Sequence, residues 1–157
     1  PQASFVFVTH NPEQRGTLQQ MAAERGVASN LHFLGTISEE QKLALLRASD
    51  VLPFPSRYEG FGLPVLEGMA AGVPVISTRI PVIDELIDDG VSGMLIPYDD
   101  SAALAQALLD VLDRPQLREQ LIAGGHRAMA ERFDPQQLCA QVVGVYQQTI
   151  EHRSDRA

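Results

Sequence analysis

Two carboxylates and two glycines lie close together in the chain and are the residues best suited to bind a ligand. Glu59 and Glu67 are separated by seven residues, and Gly60 and Gly62 follow the first of them. Carboxylates are good acceptors for sugar hydroxyl groups. Glycines let backbone N–H groups come close to a ligand, and N–H groups at a helix start favour negative charge. The combination predicts a ligand with both hydroxyl and phosphate groups, such as a nucleotide sugar.

A simpler interpretation of the same residues involves no ligand. The carboxylates can be solvated charges that favour the positive end of a helix. The glycines can serve only the turn. The adjacent Tyr58 either packs under this turn or contacts a sugar. The position of these residues among the surrounding strands and helices therefore distinguishes a ligand site from a turn with solvated charges.

Strands and helices are predicted to alternate along the chain. Short apolar runs predict five strands, and the segments between them predict helices. The predicted strands are 5–8, 30–35, 51–54, 73–77 and 93–97. Because they are apolar throughout, they are typical of a parallel sheet covered on both faces. We predict an α/β fold with an open, doubly wound parallel sheet (Rossmann-like), followed by three extra C-terminal helices.

The carboxylate pair falls at the edge of this sheet where ligands bind. In open parallel sheets that edge lies beyond the carboxyl ends of the strands. The segment from Glu59 to Glu67 directly follows the third strand. It leads into a helix that we expect to begin at Pro64, because proline suits the first helical position.

Local signals predict the form of several other helices. Ser38 and Gln41 form a capping-box pattern, which predicts a helix start. A short helix is expected over residues 81–87. Gly124 and Gly125 predict a weak point in a late helix, because glycine lowers helix propensity.

Composition excludes several classes of partner and site. The net charge of −8, with no two basic residues adjacent, argues against nucleic-acid binding and against docking to an anionic membrane. No apolar run approaches the ~20 residues of a membrane span. Cys139 is the single cysteine, which we expect to be buried, and its isolation fits a reducing, cytoplasmic compartment. No His or Cys spacing fits a zinc site, and His10 is interpreted as a surface imidazole.

The residues around the carboxylate pair resemble those of the retaining glycosyltransferases of family 4, which have the GT-B fold. The resemblance covers most of residues 5 to 150. It rests on the Glu-x7-Glu spacing and on the segments 30–35, 48–51, 55–56, 60–64, 72–76, 85–90 and Gly93.

The resemblance implies a role for each residue of the pair. Glu67 would bind the ribose diol, and Glu59, as the catalytic residue, would contact hydroxyls of the sugar ring. Backbone amides of the glycine turn would hold the sugar or the diphosphate, and backbone groups ending the second strand would meet the nucleobase. These backbone positions are Gly60, Phe61, Gly62, Leu63, Phe33 and Leu34. The resemblance implies no metal and no cofactor, the nucleotide-diphosphate sugar being the substrate.

The resemblance also implies a domain organisation. Residues 1–150 are similar to the donor-binding domain, which is expected to lack its upstream first strand and the acceptor-binding N-terminal domain. Residues 151–157 are expected to form a solvated tail. The last helix would expose an apolar face, including Val142, Val145 and Tyr146, which we expect self-association to cover.

Some residues depart from the family pattern. The first strand ends at Thr9 rather than in Gly-x-Gly, and Pro81 and Val82 replace the Gly-Gly before Glu85, itself a candidate donor ligand. The family's Arg and Lys that grip the diphosphate lie upstream, so we expect this chain alone not to transfer a hexose. The alternatives are a non-catalytic nucleotide-binding α/β module and another GT-B activity, a phosphorylase or an epimerase.

Overall fold

A computed structural model describes residues 3–9 and 11–154 and, for residues 151–154, only the backbone. The prediction for His10 lies outside the described residues. The chain divides into two compact units, with Leu45 ending the first and Leu46 beginning the second.

The first unit contains a two-stranded parallel sheet. Strand β1 (Phe5–Val8) pairs with β2 (Leu31–Leu34), and Phe5 lies opposite Leu31. Helix α1 (Pro12–Glu24) connects them and is capped by Asn11, whose side chain accepts hydrogen bonds from two backbone N–H groups. The prediction of a fully buried first strand is wrong, since three of the four residues of β1 are exposed. Within the described residues β1 has one strand partner, which leaves much of its surface uncovered.

The predicted capping box starts the next helix. Helix α2 comprises Glu39–Ala48. The Ser38 N–H donates to Gln41 Oε1 at 2.9 Å, and the Gln41 N–H donates to Ser38 Oγ at 3.2 Å. These reciprocal bonds satisfy two N–H groups that the helix itself leaves unpaired.

The second unit is built on a three-stranded parallel sheet in the order β3-β4-β5. The strands are β3 (Leu52–Phe54), β4 (Val75–Thr78) and β5 (Met94–Ile96). The helices of this unit are α3 (Leu63–Ala71), α4 (Pro81–Asp84), α5 (Ser101–Asp113), α6 (Pro115–Arg132) and α7 (Pro135–Ser154). Helix α4 therefore ends before the predicted Ile87.

Both faces of this sheet are buried. Val75 packs into a cluster with residues of α3 and α4, whereas the next residue, Ile76, packs with α5 and α6. Because successive side chains of a strand point to opposite faces, β4 contributes to both clusters and is buried throughout. The α/β class and the doubly wound arrangement of parallel strands are thus confirmed in this unit.

The glycine pair of α6 is a packing site, so the predicted weak point is wrong. Helix α6 runs without interruption through Gly124 and Gly125, and both are buried. A Cβ added at Gly124 would clash with the carbonyl oxygen of Val91 and lie 2.7 Å from its carbonyl carbon. At Gly125 an added Cβ would lie 3.2 Å from Met69 Cγ. The missing side chains let α6 approach a loop and α3.

Helix α7 presents apolar side chains to solvent. Val142, Val145 and Tyr146 are each more than half exposed, which confirms the predicted apolar surface. Cys139 is also exposed, so the prediction that it is buried is wrong. The helical backbone continues to Ser154, into the predicted tail, and residues 155–157 lie outside the described residues. Among the described helices, none combines the length and apolar composition needed to cross a membrane.

Candidate functional site

The segment between β3 and α3, residues 55–62, forms a loop at the carboxyl end of β3, as predicted. We call it the β3–α3 loop. Helix α3 begins at Leu63, one residue before the expected Pro64. Gly62 caps the helix with φ +84°, a left-handed conformation that favours glycine. A Cβ added there would lie 2.8 Å from Ile83 Cδ1 and 2.9 Å from Leu86 Cδ1. The turn is therefore pressed against the core of the second unit.

Glu59 is half-buried and is held by a side chain of its own loop. Ser56 Oγ lies 2.7 Å from Glu59 Oε1 and 3.0 Å from the carbonyl oxygen of Tyr58. The hydroxyl has one proton, and the shorter distance and the negative charge favour donation to the carboxylate. Ser56 has no role predicted from the sequence, although a hydroxyl residue three positions before a glutamate is a usable signal.

Glu67 lies on the second turn of α3 and is half-buried. Its backbone position is determined by the next residue, Gly68, where an added Cβ would lie 2.7 Å from Leu52 Cδ2 and 2.8 Å from Val75 Cγ2. The absence of a side chain at Gly68 lets α3 pack closely on β3 and β4. Glu67 is thus attached to one of the most tightly packed elements of the unit.

The outer side of the β3–α3 loop is open. Tyr58 is 85% exposed, and Phe61 and Leu63 are 53% and 58% exposed. A Cβ added at Gly60 would meet nothing within 4 Å. The interpretation that packs Tyr58 under the glycine turn is wrong, because Ile83 and Leu86 occupy that side at Gly62. The loop is exposed enough for a ligand to reach its backbone.

Two shallow cavities of the second unit lie outside the carboxylate pair. One, of about 310 Å³, is lined by Arg57, Thr78 and Tyr98 among others, and the Arg57 guanidinium stands 6.0 Å from the centre of the Tyr98 ring. Another, of about 470 Å³, lies where α6 meets α7 and includes His126. Neither Glu59 nor Glu67 lines either of these two cavities.

Other polar residues near the sheet edge make contacts within the protein, although the carboxylate of the predicted ligand Glu85 is not part of them. Glu85 is exposed just after α4, and its carbonyl oxygen accepts a hydrogen bond from Arg132. Arg79 forms ion pairs with Asp84, at 2.8 Å, and with Asp89. Among the residues that the structure describes, no group of three His, Cys, Asp or Glu is arranged to hold a metal ion.

The residues predicted to meet a nucleobase lie in the first unit, on β2. The Phe33 ring is half-buried and stacks on Phe7, with ring centres 5.2 Å apart. Leu34 is exposed, and its carbonyl oxygen accepts a hydrogen bond from the Thr9 N–H at 3.1 Å. A contact from this oxygen to a base would therefore use its second lone pair.

The chain is similar to proteins that are named as glycosyltransferases. Residues 1–128 match the family described as glycosyl transferases group 1. The MMP alpha-(1->4)-mannosyltransferase of Mycolicibacterium hassiacum is 34% identical over 139 residues, which cover 88% of this chain and 34% of that protein. The chain thus spans about a third of the length of this relative.

Solved structures show the same fold. HepE of Anabaena, solved in complex with UDP and glucose, superposes with a TM-score of 0.78 at 25% identity over 99% of this chain and 41% of that one. The C-terminal domain of LpcC, a group 1 family protein of Francisella tularensis, superposes with a TM-score of 0.71 at 27% identity over 79% of this chain and 64% of that one. With the α/β fold and the loop between Glu59 and Glu67, these likenesses establish that the chain belongs to the glycosyl transferases of group 1 and corresponds to part of the C-terminal domain of a GT-B fold.

Proposed function

We propose that this chain is the donor-binding domain of a retaining hexosyltransferase that uses a nucleotide-diphosphate sugar. The acceptor would be held by an N-terminal domain outside this sequence. The observation that carries the proposal is the exposed β3–α3 loop with Glu59 before the glycine turn and Glu67 on the helix that follows it. Family membership and the UDP and glucose bound to HepE support it.

Each carboxylate has a separate part in this proposal. Glu67 would accept hydrogen bonds from the ribose diol, and Glu59 from hydroxyls of the sugar ring. A carboxylate can accept two such bonds, and hydrogen bonds to a charged group contribute about 1.5–3 kcal/mol each. Phe33 and Leu34 stay predicted contacts to the nucleobase.

The proposed reaction retains the configuration at the anomeric carbon by attack on the face from which the diphosphate leaves. The part of this chain would be electrostatic, because N–H groups from Gly60 to Leu63 can stabilise the negative charge that develops on the diphosphate. Independence from metal ions and a cytoplasmic location stay predictions from the sequence.

Calorimetry on the chain itself tests donor binding. We expect millimolar binding of at least one of UDP, GDP and ADP, and Glu67→Gln should weaken it about tenfold or more, since one charge-assisted bond is worth at least a factor of ten. Glu119→Gln, which alters an exposed carboxylate on α6, is the matched control and should bind as the wild type does. Absence of binding to all three nucleotides, or equal loss in both variants, would contradict the proposal.

A further inference from the structure

Three hydroxyl side chains form hydrogen bonds that link β4 to the end of β3 and to the loop that carries Glu59. Ser77 Oγ donates to the carbonyl oxygen of Phe54 at 2.7 Å. Thr78 Oγ1 donates to the carbonyl oxygen of Ser56. Ser56 Oγ in turn lies 2.7 Å from Glu59 Oε1. We call these three residues the hydroxyl chain.

The hydroxyl chain holds the backbone where the strand pairing of β3 stops. Phe54, opposite Ser77, is the last paired residue of β3, and Pro55 has no N–H to continue the ladder. The carbonyl oxygen of Ser56 is instead bound by the Thr78 side chain. Ser77 and Thr78 are 0% and 1% exposed, and a buried hydroxyl without a partner is costly. The fold therefore favours keeping both bonds, which ties the loop to the central strand.

The bond between Ser56 and Glu59 determines how Glu59 orients its carboxylate. A separation of 2.7 Å falls at the upper end of the range for an O–H donor to a charged carboxylate. The bond occupies part of Oε1 and restricts rotation of the carboxylate. Oε2 and the remaining acceptor capacity of Oε1 stay available to hydroxyl groups of a ligand. An oriented acceptor loses less conformational entropy on binding than a freely rotating one.

We propose that Ser56 is a positioning residue that orients Glu59 toward the sugar of the donor, and that Thr78 holds Ser56 in place. The inference rests on the proposed function, because it takes Glu59 as the residue that contacts the sugar ring. It assigns the hydroxyl chain to recognition of the sugar and not of the nucleotide. Loss of the Ser56 hydroxyl should therefore change the affinity for the sugar nucleotide without changing that for the nucleoside diphosphate.

The test compares two ligands on the same variant. Calorimetry measures the Kd of UDP-glucose and of UDP for the wild type, Ser56→Ala and Ser56→Thr. If the wild type prefers guanine, GDP-mannose and GDP take their place. For Ser56→Ala we expect the sugar nucleotide to bind roughly three- to tenfold more weakly, as for loss of one hydrogen bond, with unchanged binding of the diphosphate. Ser56→Thr keeps the hydroxyl and should therefore keep the wild-type ratio of the sugar-nucleotide Kd to the diphosphate Kd.

A second pair of variants tests the role of Thr78. Thr78→Val keeps the shape but removes the hydroxyl, and it should raise the ratio of the sugar-nucleotide Kd to the diphosphate Kd. Thr78→Ser should leave that ratio unchanged. Ser92→Ala is the control for loss of a buried hydroxyl, because Ser92 accepts a hydrogen bond from the Asp88 N–H in a different loop. It should leave the ratio unchanged even if it lowers the melting temperature.

The outcomes separate this inference from the function on which it rests. A wild-type chain that binds none of these ligands would overturn both. The positioning role alone would be overturned if the wild-type chain binds the sugar nucleotide but Ser56→Ala leaves the ratio of the two Kd values unchanged. Equal weakening of the binding of both ligands would give that unchanged ratio.

Discussion

Replacing Gly62 by alanine tests whether the glycine turn is constrained by the core beneath it. With φ at +84°, an L-residue at this position is expected to cost about 1–2 kcal/mol. The added Cβ would also lie within 3.0 Å of two side-chain carbons, those of Ile83 and Leu86. These atoms end flexible side chains, but both residues are almost completely buried, so their displacement adds overpacking of about 1–3 kcal/mol. The total expected loss is about 2–5 kcal/mol.

Thermal and urea unfolding followed by circular dichroism would measure this loss. For a chain of this length, about 2–4 °C of melting temperature corresponds to each kcal/mol, so Gly62→Ala should melt roughly 4–20 °C lower. Gly60→Ala is the matched control in the same turn, since an added Cβ there meets nothing within 4 Å. The control should stay within about 0.5 kcal/mol of the wild type. A Gly62→Ala variant as stable as the control would refute the reasoning.

Four further predictions follow from other parts of the chain. Gly124→Ala should lower the free energy of unfolding by at least about 3 kcal/mol, because the added Cβ would meet backbone atoms of Val91. Gly144→Ala is its control and should not destabilise the protein, because an added Cβ there meets nothing within 4 Å. Ser38→Ala should cost about 1 kcal/mol in urea unfolding through loss of the cap. A radiolabelled-donor assay of the chain alone should detect no sugar transfer, and measurable transfer would contradict the missing-domain prediction. Light scattering should show concentration-dependent association that Val145→Glu weakens, and a monomer at all concentrations would argue against self-association of α7.

Local sequence signals predicted much of the fold correctly because they depend on residues near one another in the chain. The Ser38–Gln41 capping box forms both of its bonds. The apolar runs became parallel strands, and the loop before Glu67 lies at the carboxyl end of β3. Predictions of whether a side chain is buried were less successful. Tyr58 and Cys139 are exposed because burial is decided by other elements, which a local pattern does not specify.

The sequence by itself determined the alternation of strands and helices, the position of the carboxylate pair and the family resemblance, since each is encoded in residue type and spacing. Only the tertiary structure decided how the glycines and hydroxyls act. Gly124 contacts a loop more than 30 residues earlier in the chain, and Thr78 binds the carbonyl of Ser56, 22 residues before it. Contacts of this kind depend on how strands and helices pack together. Their physical cause is the need to satisfy buried polar groups and to fill space without overlap.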